Sequence, residues 1–257
     1  MSGTILICPV RDCRAPLLRE LRRVACRRGH SFDIARSGYI NLLQPQDKKS
    51  KEPGDTPAAV MGRRRIHDLG VTAPLLTAIA DLAAASLGDV ILDAGCGEGF
   101  YLGNLPGRRH GTDLSIPAID TAAKRYPDCQ WTVANADRFL PYGDASFSLV
   151  LSITARQNSS EFRRVLNPQG RLLIALPAPD DLIEVRGKGR EDRVARTLET
   201  FADAFEPLEQ RRITTQADLD ASAVTDLRHS IYRPLHAQPA TAMTITFSLD
   251  LLLMKIR

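Results

Sequence analysis

Ile91-Leu92-Asp93-Ala94-Gly95-Cys96-Gly97-Glu98-Gly99 decides the fold of this chain. An apolar run ends in an acid and then breaks into alternating glycines, the pattern of a buried parallel strand turning sharply into a helix. The spacing is Gly-x-Gly-x-Gly after an aspartate. It is not the Gly-x-Gly-x-x-Gly that seats a pyrophosphate, and no phosphate-gripping lysine follows. A loop of this form suits a ligand with a ribose and a compact charged tail but no phosphates. A tight turn without a ligand is the plainer alternative, but it leaves the next segment unexplained. Gly111-Thr112-Asp113-Leu114-Ser115 closes a second short strand with a carboxylate 20 residues after Asp93. An acid at that point can accept hydrogen bonds from both ribose hydroxyls.

The alternation continues along the chain. Trp131 to Ala136 reads as a third strand carrying Asn135 at its end, and Phe147 to Ser152 as a fourth. Arg171 to Leu176 is an unbroken apolar fifth strand of the kind buried on both faces. Helical spacing is expected over 57–69, 74–87, 116–126, 159–166 and 190–205. Residues 242–254 read as a long terminal strand pairing near Arg212-Ile213-Thr214-Thr215. The fold class is therefore α/β, a doubly wound, mostly parallel seven-stranded sheet with a terminal antiparallel hairpin. S-adenosylmethionine has the ribose and charged tail that the loop calls for. The loop resembles motif I of the class I, Rossmann-like methyltransferases. That resemblance assigns Asp93, Gly95, Gly97, Glu98, Gly99, Asp113 and Asn135 to cofactor binding.

At 257 residues the chain can form one full α/β domain with a small appendage. Hydrophobic residues at 44% and charged residues at 25% exclude a disordered chain. No apolar run approaches the ~18–20 residues that span a bilayer. The first residues lack a basic region and a cleavage site, so a cytoplasmic protein without membrane association is expected. The net charge of +4 is uneven: residues 1–70 carry +7 and the remainder −3. Positive charge gathers at the amino end, where it either meets a polyanion or forms a solvated basic face. Nothing in the sequence fixes an oligomeric state, and a dimer stays open.

Cys8, Cys13, Cys26 and His30 form a Cys-x4-Cys-x12-Cys-x3-His series. Without an export signal, thiolate metal ligation explains the cysteines better than disulfides. A Cys3His set closes the tetrahedral shell of a structural Zn2+ with no open position for water. Scattered thiols beside a surface histidine are the competing reading. Cys96 fills a small position in the glycine loop and Cys129 precedes the third strand. Neither has a neighbouring histidine in the sequence to serve as base, so both read as packing residues. Residues 1–43 then read as a zinc-binding module and 44–73 as a basic linker and helix bearing Lys48, Lys49, Lys51 and Arg63 to Arg65. Residues 74–257 read as the cofactor domain.

The zinc series, Phe32-Asp33, Gly38-Tyr39-Ile40-Asn41-Leu42-Leu43, the lysine-rich loop, Pro53-Gly54-Asp55 and the glycine loop occur in one order. In this the chain resembles the 23S ribosomal RNA guanine-N1 methyltransferases, over roughly residues 8–185. The resemblance implies a zinc module joined to a class I methyltransferase domain, and methylation of a guanine N1 in a hairpin loop of 23S ribosomal RNA. It places the zinc ligands on Cys8, Cys13, Cys26 and His30. It also breaks at three points. Thr72 stands where the family has a tyrosine near the cofactor, and Asp181 replaces a family histidine. Thr154-Ala155-Arg156 stands in place of an aromatic-Ala-Pro triplet facing the reacting base.

Guanine N1 carries a proton, so methylation needs a proton acceptor. Asp181 and Glu184 are candidates by position, and the sequence assigns the role to neither. Asp113 and Asn135 would hold ribose and adenine. The zinc module, the lysines and Arg63 to Arg65 would grip phosphates. Two rivals stand beside this reading: a small-molecule methyltransferase with an accidental cysteine cluster, and an RNA-binding relative that has lost turnover.

Overall fold

The computed structural model describes residues 5–47, 53–84, 86, 88–231 and 240–257. Lys48, Lys49 and Lys51 lie outside the described residues. Near the amino end, β1 (Leu18–Arg19), β2 (Arg23–Ala25) and β3 (Ser31–Asp33) make a small antiparallel sheet. The next strand, β4 (Ile40–Asn41), leaves that sheet and joins the main one.

Two helices follow. Thr56 caps α1 (Pro57–Asp68) by accepting from the Ala59 N–H at 3.2 Å, and Pro57 supplies a preset φ at the first position. In α2 (Ala73–Ala84) the buried side chains Leu75, Ala78, Ile79, Leu82 and Ala83 recur at the spacing of one helical face. The βα alternation then runs β5 (Val90–Ala94), α3 (Phe100–Gly103), β6 (Arg108–Asp113), α4 (Ile116–Arg125), β7 (Gln130–Val133), β8 (Phe147–Ile153), α5 (Ser159–Val165) and β9 (Leu166–Pro177). After it come α6 (Ile183–Arg186), α7 (Val194–Phe201), β10 (Phe205–Leu219), α8 (Ala221–Ser230) and β11 (Met243–Ile256).

The main sheet has the order β10-β11-β9-β8-β5-β6-β7-β4. Strands β4 to β9 pair in parallel, while β11 pairs antiparallel with both β9 and β10. The doubly wound sheet and its terminal hairpin are as expected. Beyond the seven expected strands, β4 adds an eighth at the edge, with the Leu42 N–H donating to the Val133 carbonyl at 2.9 Å. The order in which strands are added reverses at β5, whose neighbours are β6 on one side and β8 on the other. A crevice therefore opens at the carboxyl ends of these strands, and the glycine loop lies in it.

Side chains alternate across the sheet. Leu149, Leu151 and Ile153 face a core that includes Ile79, Ile119 and Leu227 of the helices. Leu92, Val150, Leu172 and Ile174 face a second core that continues into Cys8, Leu17 and Val24. The amino-terminal segment thus shares a core with the sheet. It is also stitched to the segment before β8: the Ile7 N–H donates to the Pro141 carbonyl at 3.0 Å and the Gly143 N–H to the Ile5 carbonyl at 2.8 Å.

Several elements differ from the periodicity reading, among them β7, which ends at Val133 and leaves Asn135 beyond the strand. Strand β9 begins at Leu166, because residues 167–170 lie outside both flanking ladders and Pro168 needs no ladder partner there. The expected helix over 190–205 shortens to α7, whose first amide is met by the Asp192 carboxylate at 2.9 Å. Helix α8, capped by Asp220 accepting from the Ala223 N–H at 2.8 Å, was not expected. No single helix among the described residues is long and apolar enough to cross a membrane.

Helices α1 and α8 touch at Gly62, where a Cβ would sit 2.5 Å from the Asp226 carbonyl oxygen. Gly62→Ala gains about 1 kcal/mol of helix propensity. Overpacking against a helix backbone that cannot rotate away costs about 1–3 kcal/mol. A net loss of about 1 kcal/mol is expected, seen as a lower urea midpoint at unchanged m; an equal or higher midpoint would contradict this packing.

Candidate functional site

Strand β5 ends at Ala94, and the chain turns through Gly95, Gly97 and Gly99 at φ of 92°, 54° and 78°. These angles are open to glycine and strained for other residues. The loop is tied to β6. Gly95 and Cys96 N–H groups donate to the Thr112 carbonyl at 2.8 and 3.1 Å, and the Gly97 N–H donates to Asp113 Oδ2 at 2.9 Å. The other oxygen of Asp113 accepts from the Ser115 N–H at 2.8 Å. A second-strand acid is thereby fixed against the glycine loop, as the sequence reading placed it.

Carboxylates crowd this loop. Asp93 is buried, and its Oδ1 has no hydrogen-bond partner among the described residues. Burial, with Asp113 and Glu98 nearby, pushes its carboxyl up to about 8. Asp113 is also pushed up, by burial first, against the opposing pull of the Ser115 and Gly97 amides. A cation-bearing ligand with hydroxyl and amine donors relieves such a site. Burial and the same three acids push the Cys96 thiol well up, so it stays protonated and is no nucleophile. Cys129 is buried in the helix-side core.

One cation does reach the loop. Arg63 of α1 places Nε 2.7 Å from Glu98 and Nη2 2.8 Å from Asp55. A Cβ on Gly97 would lie 3.2 Å from the same guanidinium, a tight contact that the glycine avoids. Glu98 also lies 3.5 Å from Nε2 of His67, whose Nδ1 shares a 2.7 Å hydrogen bond with the Thr72 hydroxyl. Burial first, then Arg63, lowers His67 to about 3, so the ring is neutral. It stacks on Phe100 with centroids 3.9 Å apart and meets Tyr101 edge-on. The sequence reading assigned Arg63 to phosphates and did not single out Asp55, His67, Phe100 or Tyr101. Pro53-Gly54-Asp55 was quoted only for the resemblance. No local pattern announces a contact between residues 35 apart.

The remaining expected positions fall around the same crevice. Asn135 donates to the Asp47 carbonyl at 3.1 Å and accepts from the Asp137 N–H at 3.1 Å. It thus holds the 45–47 turn against the end of β7. Thr154 sits at φ 51°, a costly value for a β-branched residue, and turns Ala155 onto Gly95. Arg156 lies 3.5 Å from Asp137. Glu184 is occupied: burial alone would raise its carboxyl, but the Thr246 hydroxyl at 2.6 Å and amide at 3.0 Å hold it below the usual range. Asp181 is raised to about 6 by burial, partly offset by the Ser248 N–H at 3.1 Å and by Arg190.

A second centre lies in the amino-terminal sheet. The ligand atoms of Cys8, Cys13, Cys26 and His30 all fall within 4.8 Å of one another. Cys13 and Cys26 sulfurs are 3.8 Å apart, and His30 Nδ1 is 3.4 Å from the Cys8 sulfur and 3.5 Å from that of Cys26. Zinc–sulfur and zinc–nitrogen bonds of about 2.3 and 2.0 Å at tetrahedral angles give edges of about 3.8 and 3.5 Å. The donor set and its spacing fit Zn2+. Two turns shape it, with the Cys13 N–H donating to Val10 and the Gly29 N–H to Cys26.

A glycine loop at the switch point of a doubly wound sheet, an acid on the next strand and a closed Cys3His cluster define a class I methyltransferase with a structural zinc module. The RlmA amino-terminal family matches residues 6–51, and a methyltransferase domain family matches residues 91–170. The 23S rRNA (guanine(748)-N(1))-methyltransferase of Streptomyces fradiae is 34% identical over 233 residues, covering 85% of this chain and 81% of the relative. YxjB of Bacillus subtilis strain 168, provisionally named a 23S rRNA (guanine-N(1)-)-methyltransferase, is 35% identical over 207 residues, covering 76% and 72%. A Haloferax volcanii chain provisionally named a methyltransferase, solved with the Trm112 methyltransferase activator, is similar in fold alone. Its TM-score is 0.51 at 21% identity, covering 79% of this chain and 98% of that one. The protein belongs to the 23S ribosomal RNA guanine-N1 methyltransferase family.

Purified protein is expected to carry one zinc per chain. Because the ligand cluster is continuous with the sheet core, chelation or Cys26→Ser should lower the Tm by at least about 5 °C, in proportion to the zinc lost. Full stability after complete zinc removal would contradict a structural site.

Proposed function

We propose that this protein transfers the methyl group of S-adenosylmethionine to N1 of a guanine in a hairpin loop of 23S ribosomal RNA, in the cytoplasm. Family membership carries the reading, and the buried acids around the glycine loop support the donor. The cofactor brings an electrophilic sulfonium methyl. Asp113 would hold the ribose, Asn135 would line the adenine side, and Gly95, Gly97 and Gly99 let the backbone come close, with Asp93 and Glu98 meeting the cationic tail. Residues 1–43 would dock RNA and 44–73 would link that module to the cofactor domain at 74–257.

The enzyme's work is placement, bringing N1 and the methyl carbon to about 3–3.5 Å in line with the sulfur. A base in a hairpin loop unstacks for a few kcal/mol or less. Asp181 is our candidate for the N1 proton acceptor. It follows β9 at the crevice end of the sheet, its charge reaches Tyr101 beside the loop, and its carboxyl is held at about 6. Glu184 is bound up with Thr246.

Labelled S-adenosylmethionine and protein-free 23S RNA from a strain lacking the enzyme should give label at N1 of a single guanine. Absence of label, with cofactor binding intact, would leave a non-catalytic relative instead.

A base works ionised, so kcat/KM should rise about tenfold per pH unit below about 6 and level above it. Burial raises the Asp181 carboxyl, so the fold disfavours its ionised form. Asp181→Asn should therefore keep its stability above pH 6 while losing about 10²–10⁴-fold in kcat. Wild-type kcat with an unchanged pH profile in that variant would remove Asp181 from the chemistry.

A further inference from the structure

Past the end of β9 the chain curls around an open cavity of about 340 Å3 lined by Arg186, Lys188, Gly189, Arg190, Glu191 and Arg193. Four cations face one carboxylate there, and that carboxylate lies 3.6 Å from Arg196. Arg190 has a long pair to Asp181 at 3.7 Å. Arg186, Lys188 and Arg193 have no ion pair among the described residues. The Nε atoms of Arg186 and Arg190 are buried and lack a hydrogen-bond partner among those residues. Burial depresses both guanidinium groups; Arg186 and Arg193 depress Arg190 further, and Asp181 offsets part of this for both. Arginine cannot shed its proton to escape, so the rest of the repulsion stays until a further anion offsets it.

A solvated basic face does not explain buried, unpartnered guanidinium nitrogens. Clustered forks of this kind are the usual receptor for phosphate oxygens. The lining segment follows the carboxyl end of β9, the end of the parallel strands at which the glycine loop also lies, and Asp181 contacts it through Arg190. If Asp181 takes the N1 proton, the nucleotides flanking that guanine lie beside this segment.

We propose that this cavity is a phosphodiester-binding subsite for the RNA strand flanking the target guanine, formed by Arg186, Lys188, Arg190 and Arg193. The inference rests on the RNA reading above. It assigns part of the substrate grip to the carboxyl side of β9, remote in sequence from the zinc module.

The test uses the full-length protein, protein-free 23S RNA transcript and a salt titration of binding. Lys188→Gln with Arg193→Gln removes two cations that make no ion pair. It should weaken RNA binding about tenfold at 0.1 M salt and reduce the slope of log K against log salt by about 1–2. The KM for RNA should rise while kcat and S-adenosylmethionine affinity hold, which also shows that the variant folds. Lys188→Arg with Arg193→Lys should restore the slope. If wild-type protein binds and methylates the transcript and the double glutamine variant keeps its affinity and slope, the subsite is refuted and the RNA reading stands. Saturation of the cavity by inorganic phosphate with an unchanged RNA slope would assign it to a free anion and also refute it. Wild-type protein that neither binds nor methylates the transcript would bring down both.

Discussion

The Arg63 guanidinium, held between Glu98 and Asp55, is the tie on which the rest of this site depends. Glu98 is part of the glycine loop and is almost wholly buried, so without a cation it would be a lone desolvated charge beside Asp93 and Asp113. Arg63 comes from α1, which is braced by α8 through Gly62 and the Arg65–Asp226 pair. Helix α8, which joins the strands of the carboxyl-terminal hairpin, therefore braces the helix that neutralises the loop after β5. Sheet, helix pair and cofactor crevice form one mechanical unit.

Charge is sorted around that unit. Acids gather where the glycines turn, and two of them, Asp93 and Asp113, are pushed up toward their neutral forms. Basic side chains lie outside, at the zinc module and beyond β9. The acidic crevice and the basic surfaces are thus two separate attractions, one for cations and one for anions. The shared core between the zinc module and the sheet, through Cys8, Leu17, Leu92 and Ile174, fixes how far apart the two attractions act.

What could be read in the sequence was local. Glycines at positive φ, cysteines and a histidine at ligand spacing, and apolar runs at strand period each show in a few neighbouring residues. They yielded the sheet, the zinc cluster and the Asp93–Asp113 pair. The Arg63–Glu98–His67–Thr72 chain was invisible, because it joins α1 to a loop some 30 residues on through contacts that no spacing rule describes. Helix α8 has an Asp220 cap but a weakly apolar face, so its sequence reads as polar connection until α1 covers it. Strand β4 has two residues, too few to show any alternation.

The departure at residue 72 makes sense in that network. A threonine there cannot offer a ring to the crevice, yet an aromatic surface is present: neutral His67 lies flat on Phe100 with Tyr101 across its edge. Thr72 contributes the hydroxyl that orients the imidazole, and Glu98 faces the other nitrogen. Protonating His67 would set a second cation beside Arg63 in a buried place, which is why its ring stays neutral down to about pH 3. The stack therefore keeps an uncharged imidazole above about pH 3. An aromatic surface beside the glycine loop is thus built from three rings held by the Thr72 hydroxyl and the Glu98 carboxylate, without a ring at position 72.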